Sequence, residues 1–188
     1  MDNTVGSLTQ LQKSVIIGTV LGDGYLRKIK GRKDAFLEIN HSIKQKDYVD
    51  WKYSVLHNLS GGKPKERKCN EGRVAYRFYT KQLPELTELQ QIFYPKGQKI
   101  VPDIKIDSMI LAVWFMDDGS KCRDSDVYLN TQQFDIECQK RMLSMLKSLG
   151  LEARLNKDKH YKRIRFMKSS LPKLKSLLQE HMIPSCEV

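Results

Sequence analysis

Two apolar stretches of this 188-residue chain end in the same way, with an aspartate followed by a glycine. The first reads SVIIGTVLGDG over residues 14–24, and the second contains MILAVWFM and ends in DDG at residues 117–119. Burial disfavours an ionised carboxylate, so acids at the end of a buried run need a chemical reason. If Asp23 and Asp118 lie together, they repel each other, and their pKa values rise unless a cation lies between them.

Both stretches belong to an internal repeat with the order α-β-β-α-β-β-α, in which GDG aligns with DDG, FLEINHS with VYLNTQQ, and YRFYT with IRFMK. The first copy is predicted to contain a helix over 8–22 capped by Ser7 or Thr9, strands 24–29 and 34–41, a helix over 46–59, a hairpin from KPKERK to VAYRFYT, and a helix from Pro84 to Phe93. The second contains a helix over 108–118, strands 119–123 and 126–132, a helix over 135–149 between Asp135 and Gly150, a hairpin over 151–167, and a helix from Pro172. We therefore divide the chain into an N-terminal half (1–97), a connector (98–106) and a C-terminal half (107–188).

The repeat leads to a geometric expectation for an α+β fold. Two related halves would lie about a pseudo-twofold axis, and each begins with a helix whose last turn carries Asp-Gly. If these two helices pack against each other along the axis, Asp23 and Asp118 emerge side by side at one end of the interface.

The charge of the chain favours a polyanionic partner, because 33 Lys and Arg residues against 22 Asp and Glu residues give a net charge of +11. Most of the excess lies on the predicted hairpins, which suits a sheet that reads the major groove of DNA. In the first half these residues are Arg27, Lys28, Lys30, Arg32, Lys33, Lys63, Lys65, Arg67, Lys68, Arg73 and Arg77. In the second half they are Lys121, Arg123, Arg154, Lys157, Lys159, Lys162, Arg163 and Arg165. We add Glu38, Tyr128 and Asn156 to this DNA-binding set; the alternative is that the lysines only protect sheet edges from aggregation.

Other patterns exclude several classes of protein. The four cysteines, Cys69, Cys122, Cys138 and Cys186, form no C-x-x-C pair, which argues against a zinc site or a disulfide framework and for a reducing compartment. No apolar run reaches the length of a membrane span, and the first residues lack the pattern of a secretory signal. We expect an intracellular protein, with bacterial cytoplasm and an organelle left as alternatives.

The motifs IIGTVLGDG (16–24) and LAVWFMDDG (111–119), together with GQKIVP and YLNTQQF, resemble the LAGLIDADG homing endonucleases of the single-chain, two-motif, intron-encoded branch. The similarity spans nearly the whole chain. A lone apolar run that ends in Asp-Gly is more often a simple helix end, whereas two such motifs in a matched repeat are far more specific. The resemblance implies αββαββα halves whose curved antiparallel sheets form a DNA-binding saddle, with the motif helices at the interface.

The resemblance also implies the site. The last acid of each motif, Asp23 and Asp118, would bind divalent metal, and so would the peptide carbonyls of Gly22 and Asp117. Motif helices usually carry a small residue before the catalytic acid; Gly22 fits this pattern and Asp117 does not. We therefore expect the Asp117 side chain to face solvent or a helix end and not to be a third ligand.

Lys99 in the connector is implied to polarise the attacking water or to stabilise the phosphate. Its repeat equivalent, counted from Pro184, is Val188, the last residue given, so we expect the second lysine to be missing or lost with the chain end. The two strands then need not be cut equally fast. Polar residues at the ends of the second strands are implied to lie near the water network of the site. These are Asn40, His41, Asn130 and Gln132.

These residues predict one chemistry. Mg²⁺ prefers oxygen ligands, which two aspartates, backbone carbonyls and scissile phosphates supply. A shared pair or triplet of metals would activate water on one side and neutralise the leaving oxygen on the other. We expect Mn²⁺ to substitute and Ca²⁺ to bind without supporting cleavage.

The resulting hypothesis is a monomeric, metal-dependent endonuclease that cuts both strands of a long recognition site in double-stranded DNA. The alternative is a non-cleaving nucleic-acid binder on the same fold, either an RNA maturase that binds intron RNA or a DNA-binding regulator. Retention of both acids favours the enzyme, because binding alone does not require them.

Overall fold

The computed structural model describes residues 8–123 and 125–184, which form six α-helices and eight strands. The helices are α1 (Gln10–Leu21), α2 (Lys46–Leu56), α3 (Pro84–Phe93), α4 (Ser108–Asp118), α5 (Ile136–Ser148) and α6 (Leu171–Gln179). The strands are β1 (Tyr25–Arg27), β2 (Phe36–Ser42), β3 (Lys65–Lys68), β4 (Val74–Tyr79), β5 (Gly119–Arg123), β6 (Asp126–Leu129), β7 (Ala153–Asp158) and β8 (Tyr161–Phe166). The predicted order α-β-β-α-β-β-α is therefore present twice.

Each copy of the repeat contains one antiparallel sheet of four strands. The strand order is β1-β2-β4-β3 in the first sheet and β5-β6-β8-β7 in the second, so both sheets have the same topology. Strand β2 alternates as a half-buried strand should, with Leu37, Ile39 and His41 on its buried face and Asn40 exposed. The α+β class and the tandem halves are confirmed, whereas the exact domain bounds stay a prediction.

Local signals explain where several elements begin. Thr9 caps α1 through a capping box with Gln12, and the Asp135 side chain accepts a hydrogen bond from the Cys138 N–H at the start of α5. Ser7, the other predicted cap of α1, lies outside the described residues. Proline at the first position starts α3, as predicted.

Several predicted elements are longer than the observed ones, and among the C-terminal ends those of β1, β6 and α2 differ most. Strand β1 ends at Arg27, because its pairing with β2 stops at the Arg27–Phe36 pair. Strand β6 ends at Leu129, after which the Asn130 N–H donates to the carbonyl of Asp118 at 2.9 Å. Helix α2 ends at Leu56 and continues as a short 3₁₀ turn over 57–59.

Helices α1 and α4 pack against each other and form the seam between the two halves. Both helices are almost wholly buried, and Trp114 and Phe115 lie in the core as expected. Gly18 permits the close approach, because a Cβ added there would lie 2.7 Å from the Cβ of Val113. At Gly22, one turn later, an added Cβ would lie 2.4 Å from the Cβ of Asp117. The two helices are therefore still in close contact at the end that carries the Asp-Gly motifs.

Two further features concern helix length and the cysteines. Within the described part of the chain, no helix is both long enough and apolar enough to cross a bilayer. Cys69 and Cys122 are exposed free thiols and Cys138 is a buried one, while Cys186 lies outside the described residues.

We predict that Gly18→Ala destabilises the protein by about 1–3 kcal/mol, because the added methyl group overpacks the seam. Gly62→Ala is the matched control, since a Cβ at Gly62 meets nothing within 4 Å. Urea unfolding of both variants measures the difference. Equal stability of the two variants would contradict the close packing of α1 on α4.

Candidate functional site

The C-terminal ends of α1 and α4 bring three aspartates together at one end of the seam. The N–H of Asp23, just after α1, donates to Oδ2 of Asp117 in α4 at 3.3 Å. Burial and, to a smaller extent, the nearby charges of Asp23 and Asp117 together raise the pKa of Asp118 to about 8. Burial and the charge of Asp117 also raise the pKa of Asp23, while Lys52 and Lys99 oppose that rise. Asp23 and Asp118, one from each half, therefore interact electrostatically.

The two acids differ in their exposure. The side chain of Asp23 is 50% exposed, whereas Asp118 is buried. Oδ2 of Asp118 is buried and has no hydrogen-bond partner among the described residues. A buried carboxylate oxygen without a donor is costly, and a bound cation would satisfy it. The donor set, which is carboxylate and carbonyl oxygen, therefore fits a hard divalent cation such as Mg²⁺.

Lys99 reaches from the connector to the end of α1. Its Nζ donates to the carbonyl of Gly22 at 2.8 Å and to that of Gly24 at 3.4 Å. Burial lowers the pKa of Lys99, while the charges of Asp118 and Asp23 raise it. The lysine that the resemblance implied is thus next to the acids, and it binds the same Gly22 carbonyl that the resemblance implied as a metal ligand.

The expectation that Asp117 faces solvent is wrong, because its side chain has no exposed surface. Its two carboxylate oxygens lie 2.8 Å and 3.2 Å from Nζ of Lys52, which is itself fully buried. The other expected direction, a helix end, fits the hydrogen bond from the N–H of Asp23. The absent side chain of Gly22 leaves the room that Asp117 occupies.

Sequence reasoning did not identify Lys52. A usable signal was present, because Tyr48, Lys52 and Leu56 are spaced four apart on α2 and so share one helical face. Tyr48 and Leu56 are fully buried, as their apolar character predicts. The ammonium of Lys52 also lies 4.2 Å from the centroid of the Tyr48 ring, where a cation–π interaction is favourable. A lysine on a buried apolar face indicates a buried counter-charge.

His41 lies between Lys52 and Asp23. Burial and the charge of Lys52 lower the pKa of His41 to about 4, so the imidazole is neutral near neutral pH. Nζ of Lys52 lies 3.3 Å from Nε2, and because an ammonium only donates, Nε2 accepts and Nδ1 carries the proton. Nδ1 then faces Oδ2 of Asp23 at 3.8 Å.

Ligand atoms of Asp23, His41 and Asp117 lie within 4.8 Å of one another, a spacing that could hold a metal ion. However, Lys52 contacts both carboxylate oxygens of Asp117. An ammonium at that distance repels a divalent cation from the Asp117 side chain. Asp23 and Asp118 therefore remain the candidate carboxylate ligands.

The other predicted water-network residues, Asn40, Asn130 and Gln132, have different surroundings. Asn40 lines the same recess as Asp23. The Asn130 backbone bonds Asp118, while its Oδ1 accepts from Ser120 at 3.4 Å. Gln132 donates to Asp158 at the end of β7, so its described contact is to the second sheet and not to the aspartates.

The predicted basic residues lie mostly on the outer faces of the sheets or in the loops between strands. Strand alternation and register place these members of the set on the outer faces: Arg27, Glu38, Lys65, Arg67, Arg77, Tyr128, Arg154, Asn156, Arg163 and Arg165. The opposite, inner faces of the sheets carry Lys68, Lys157 and Lys162. The strand β5 carries Lys121 and Arg123. Loops, turns and short 3₁₀ segments carry Lys28, Lys30, Arg32, Lys33, Lys63, Arg73 and Lys159.

Several of these arginines are held by neighbouring side chains. Arg27 lies 3.1 Å from Glu38, and Arg165 is bonded to Asp126. The guanidinium of Arg163 lies 3.8 Å from the centroid of the Tyr128 ring. Such contacts restrict the arginine rotamers and reduce the entropy lost when a ligand binds.

The chain belongs to the LAGLIDADG DNA endonuclease family, whose sequence profile matches residues 13–174. Among curated relatives, Protein RecA of Mycolicibacterium fallax is 30% identical over 199 aligned residues, which cover 96% of this chain and 46% of that protein. The chain therefore spans less than half the length of that relative. The probable intron-encoded endonuclease 1 of Wickerhamomyces canadensis is 28% identical, with 81% and 73% covered. The cytochrome b mRNA maturase bI2 of Debaryomyces hansenii is 24% identical, with 91% and 70% covered.

Solved structures share the fold. The homing endonuclease I-WcaI bound to its DNA recognition sequence superposes with a TM-score of 0.87 at 24% identity, covering 98% of this chain and 88% of that chain. I-DmoI in complex with DNA and Ca superposes with a TM-score of 0.57 at 14% identity, covering 94% and 95%. The homing endonuclease fold is thereby confirmed.

We predict that Asp118→Asn makes the metal-free protein more stable at pH 8 by an amount on the order of a few kcal/mol. The folded carboxyl has a raised pKa, so the folded state binds more protons than the unfolded state above pH ~4, and wild-type stability falls as pH rises toward about 8. The variant lacks this titration, so the difference in stability between the variant and the wild type disappears as the pH approaches 4.

Urea unfolding in EDTA across this pH window measures the gap. Asp103→Asn is the control, since Asp103 is an exposed aspartate in the connector. A gap between wild type and Asp118→Asn that does not change with pH would show that Asp118 is not a destabilised buried acid.

Proposed function

We propose that this protein is a site-specific endonuclease that hydrolyses one phosphodiester bond in each strand of a long DNA site, using Mg²⁺. The observation that carries the proposal is the meeting of Asp23 and Asp118 at one end of the helix seam, with a buried oxygen of Asp118 left without a partner. Two like charges at a buried edge destabilise the fold, so their presence favours a function that needs both.

In this proposal the metal is held by the carboxylates of Asp23 and Asp118 and by the carbonyls of Gly22 and Asp117. The Lys99 ammonium, which donates to the Gly22 carbonyl at 2.8 Å, moves away from that oxygen when the metal binds. When bound, Mg²⁺ supplies an activated water and neutralises charge on the leaving oxygen. Lys99 lies between the same acids and the Gly22 carbonyl. Its ammonium is therefore placed to stabilise negative charge on the scissile phosphate or to polarise the water.

The two sheets supply DNA binding. Their outer faces carry arginines, and the recess that contains Asp23 and Asn40 also contains Arg73 at the end of the β3–β4 hairpin. A DNA backbone that follows this basic surface would pass beside Asp23. One chain carries both halves of the site, so we propose that it acts as a monomer.

The maturase relative favours a second candidate, a non-cleaving binder of intron RNA, and a DNA-binding regulator is a related possibility. Either function would use the basic sheets without requiring two acids at the seam. Retention of both Asp23 and Asp118 therefore supports the nuclease over these alternatives.

A selection of cleaved sequences from a randomised DNA library in Mg²⁺ tests the proposal and identifies the target. We expect both strands of the selected site to be cut in Mg²⁺ or Mn²⁺, and binding without cleavage in Ca²⁺. Asp23→Asn and Asp118→Asn should each abolish double-strand cleavage while retaining DNA affinity, because carboxylates do not help to bind a polyanion. Target binding by the wild type without cleavage in Mg²⁺ would instead favour the regulator.

The basic faces yield a separate prediction. Arg77→Ala removes an outward arginine in the centre of the first sheet, next to Asn40 and Lys65 in the strand register. If Arg77 contacts a phosphate, affinity falls for all DNA sequences and the slope of log affinity against log salt decreases by about 1.

The matched control is Lys175→Ala, on the exposed side of α6. It removes the same charge from the chain but lies on a helix. Filter binding over a range of salt concentrations compares the two variants. Equal losses of affinity in both would mean that only net charge matters and that the sheet is not the binding surface.

A further inference from the structure

Asp23, Asp117, Lys52 and His41 form a ring of polar groups, in which Lys52 joins the two residues that face Asp23. On one side Lys52 binds the Asp117 carboxylate, and on the other it lies 3.3 Å from Nε2 of His41. Both Asp117 and His41 in turn face Asp23. We infer that Lys52 is a positioning residue that sets the orientation of Asp23 and thereby the cleavage of one DNA strand. This inference rests on the proposed nuclease function.

The first side of the ring acts on the backbone. Lys52 contacts both oxygens of Asp117, and one of these oxygens accepts the hydrogen bond from the N–H of Asp23. Since Lys52 and Asp117 are both fully buried, neither can exchange its partner for water without local unfolding. The ion pair therefore restricts the peptide unit that joins Gly22 and Asp23.

The second side of the ring acts on the side chain. The His41 side chain is only 2% exposed, and the hydrogen bond from Lys52 to Nε2 leaves the proton on Nδ1. That N–H group lies 3.8 Å from Oδ2 of Asp23, whose side chain is half exposed. Lys52 thereby favours the His41 tautomer that carries its proton on Nδ1, and the Gln45 side chain is a second hydrogen-bond partner of this imidazole.

Lys52 also balances charge. Asp117 is a third carboxylate near the two acids that would bind metal, and without a counter-ion its buried charge would add to their repulsion. The Lys52 ammonium neutralises it. The pair is thus neutral as a unit, and Asp117 can act as a hydrogen-bond acceptor without competing for the metal.

The second half lacks this device. On α2 the buried residues at intervals of four are Tyr48, Lys52 and Leu56. On α5 the corresponding residues are Cys138, Met142 and Leu146. The second half therefore has Met142 at the position of Lys52, and the first half has Gly22 at the position of Asp117. Lys52 and Asp117 contact each other across the seam. Among the described residues, the ring is present only on the Asp23 side of the site.

The variants follow from the repeat. Lys52→Met leaves the Asp117 carboxylate without its counter-ion, and Asp117→Gly leaves the Lys52 ammonium without its own. The double variant gives both halves the same residue types at these positions. Lys46→Met is the control, because Lys46 is an exposed lysine on the same helix.

The first experiment does not depend on cleavage. We expect Lys52→Met to lower the unfolding temperature strongly and the double variant to recover most of the loss, whereas Lys46→Met has little effect. In ¹⁵N-resolved NMR of the wild type, His41 should show an Nδ1–H tautomer, which Lys52→Met alters and Lys46→Met does not. Additive losses in the double variant, or unchanged His41 signals in Lys52→Met, would overturn the inference.

The second experiment resolves the strands. The selected target is labelled on one strand or on the other, and the double variant is used because it recovers stability. We expect this variant to cut one strand about ten- to a hundredfold more slowly than the wild type does, and to slow cleavage of the other strand much less. Affinity for the target in Ca²⁺ should be unchanged. A purely structural role predicts equal slowing of both strands, which would overturn the inference while the nuclease proposal stands. A wild-type protein that cuts neither strand would overturn both.

Discussion

The close packing of α1 on α4 is the constraint on which the rest of the structure depends. Gly18 and Gly22 let the two helices approach so closely that their ends, and therefore Asp23 and Asp118, meet at one edge. The sheets extend from the same ends, because β1 and β5 begin within a few residues of the two acids. The fold thus places an acidic centre next to two basic surfaces.

This arrangement is electrostatically costly, and a buried lysine and a partly buried one offset part of the cost. Lys52 forms an ion pair with Asp117 and so neutralises one of the three carboxylates. Lys99 interacts with all three acids but hydrogen-bonds only to carbonyl oxygens of Gly22 and Gly24 among its described partners. Asp118 keeps an unpartnered buried oxygen. The remaining negative charge is what a divalent cation would neutralise.

The sequence predicted those features that local chemistry determines. The bounds of α3 and α4 were predicted correctly, because Pro84 starts one helix and the Asp-Gly motif ends the other. The repeat predicted the matched sheets, since each half carries the same order of elements. The packing of the motif helices was expected from the repeat, which relates the two halves about a pseudo-twofold axis.

The features that the sequence reasoning missed depend on contacts between distant residues. The direction of Asp117 is determined by the space that Gly22 leaves on another helix and by Lys52, which is 65 positions away in the chain. Likewise, strand register decides which face of a sheet a residue lies on, and composition does not. It places Lys68, Lys157 and Lys162 on the faces opposite to their outward-facing neighbours. The position of Lys52 on an otherwise apolar helical face was the one local signal that it pairs with a buried acid.

The central claim is that Asp23 and Asp118 jointly hold a divalent cation beneath bound DNA. Anomalous diffraction from Mn²⁺ in crystals of the protein with its selected target measures this most directly. We predict an anomalous peak within bonding distance of both carboxylates and beside the scissile phosphates. DNA bound on the sheets with no manganese at these two aspartates would contradict the account.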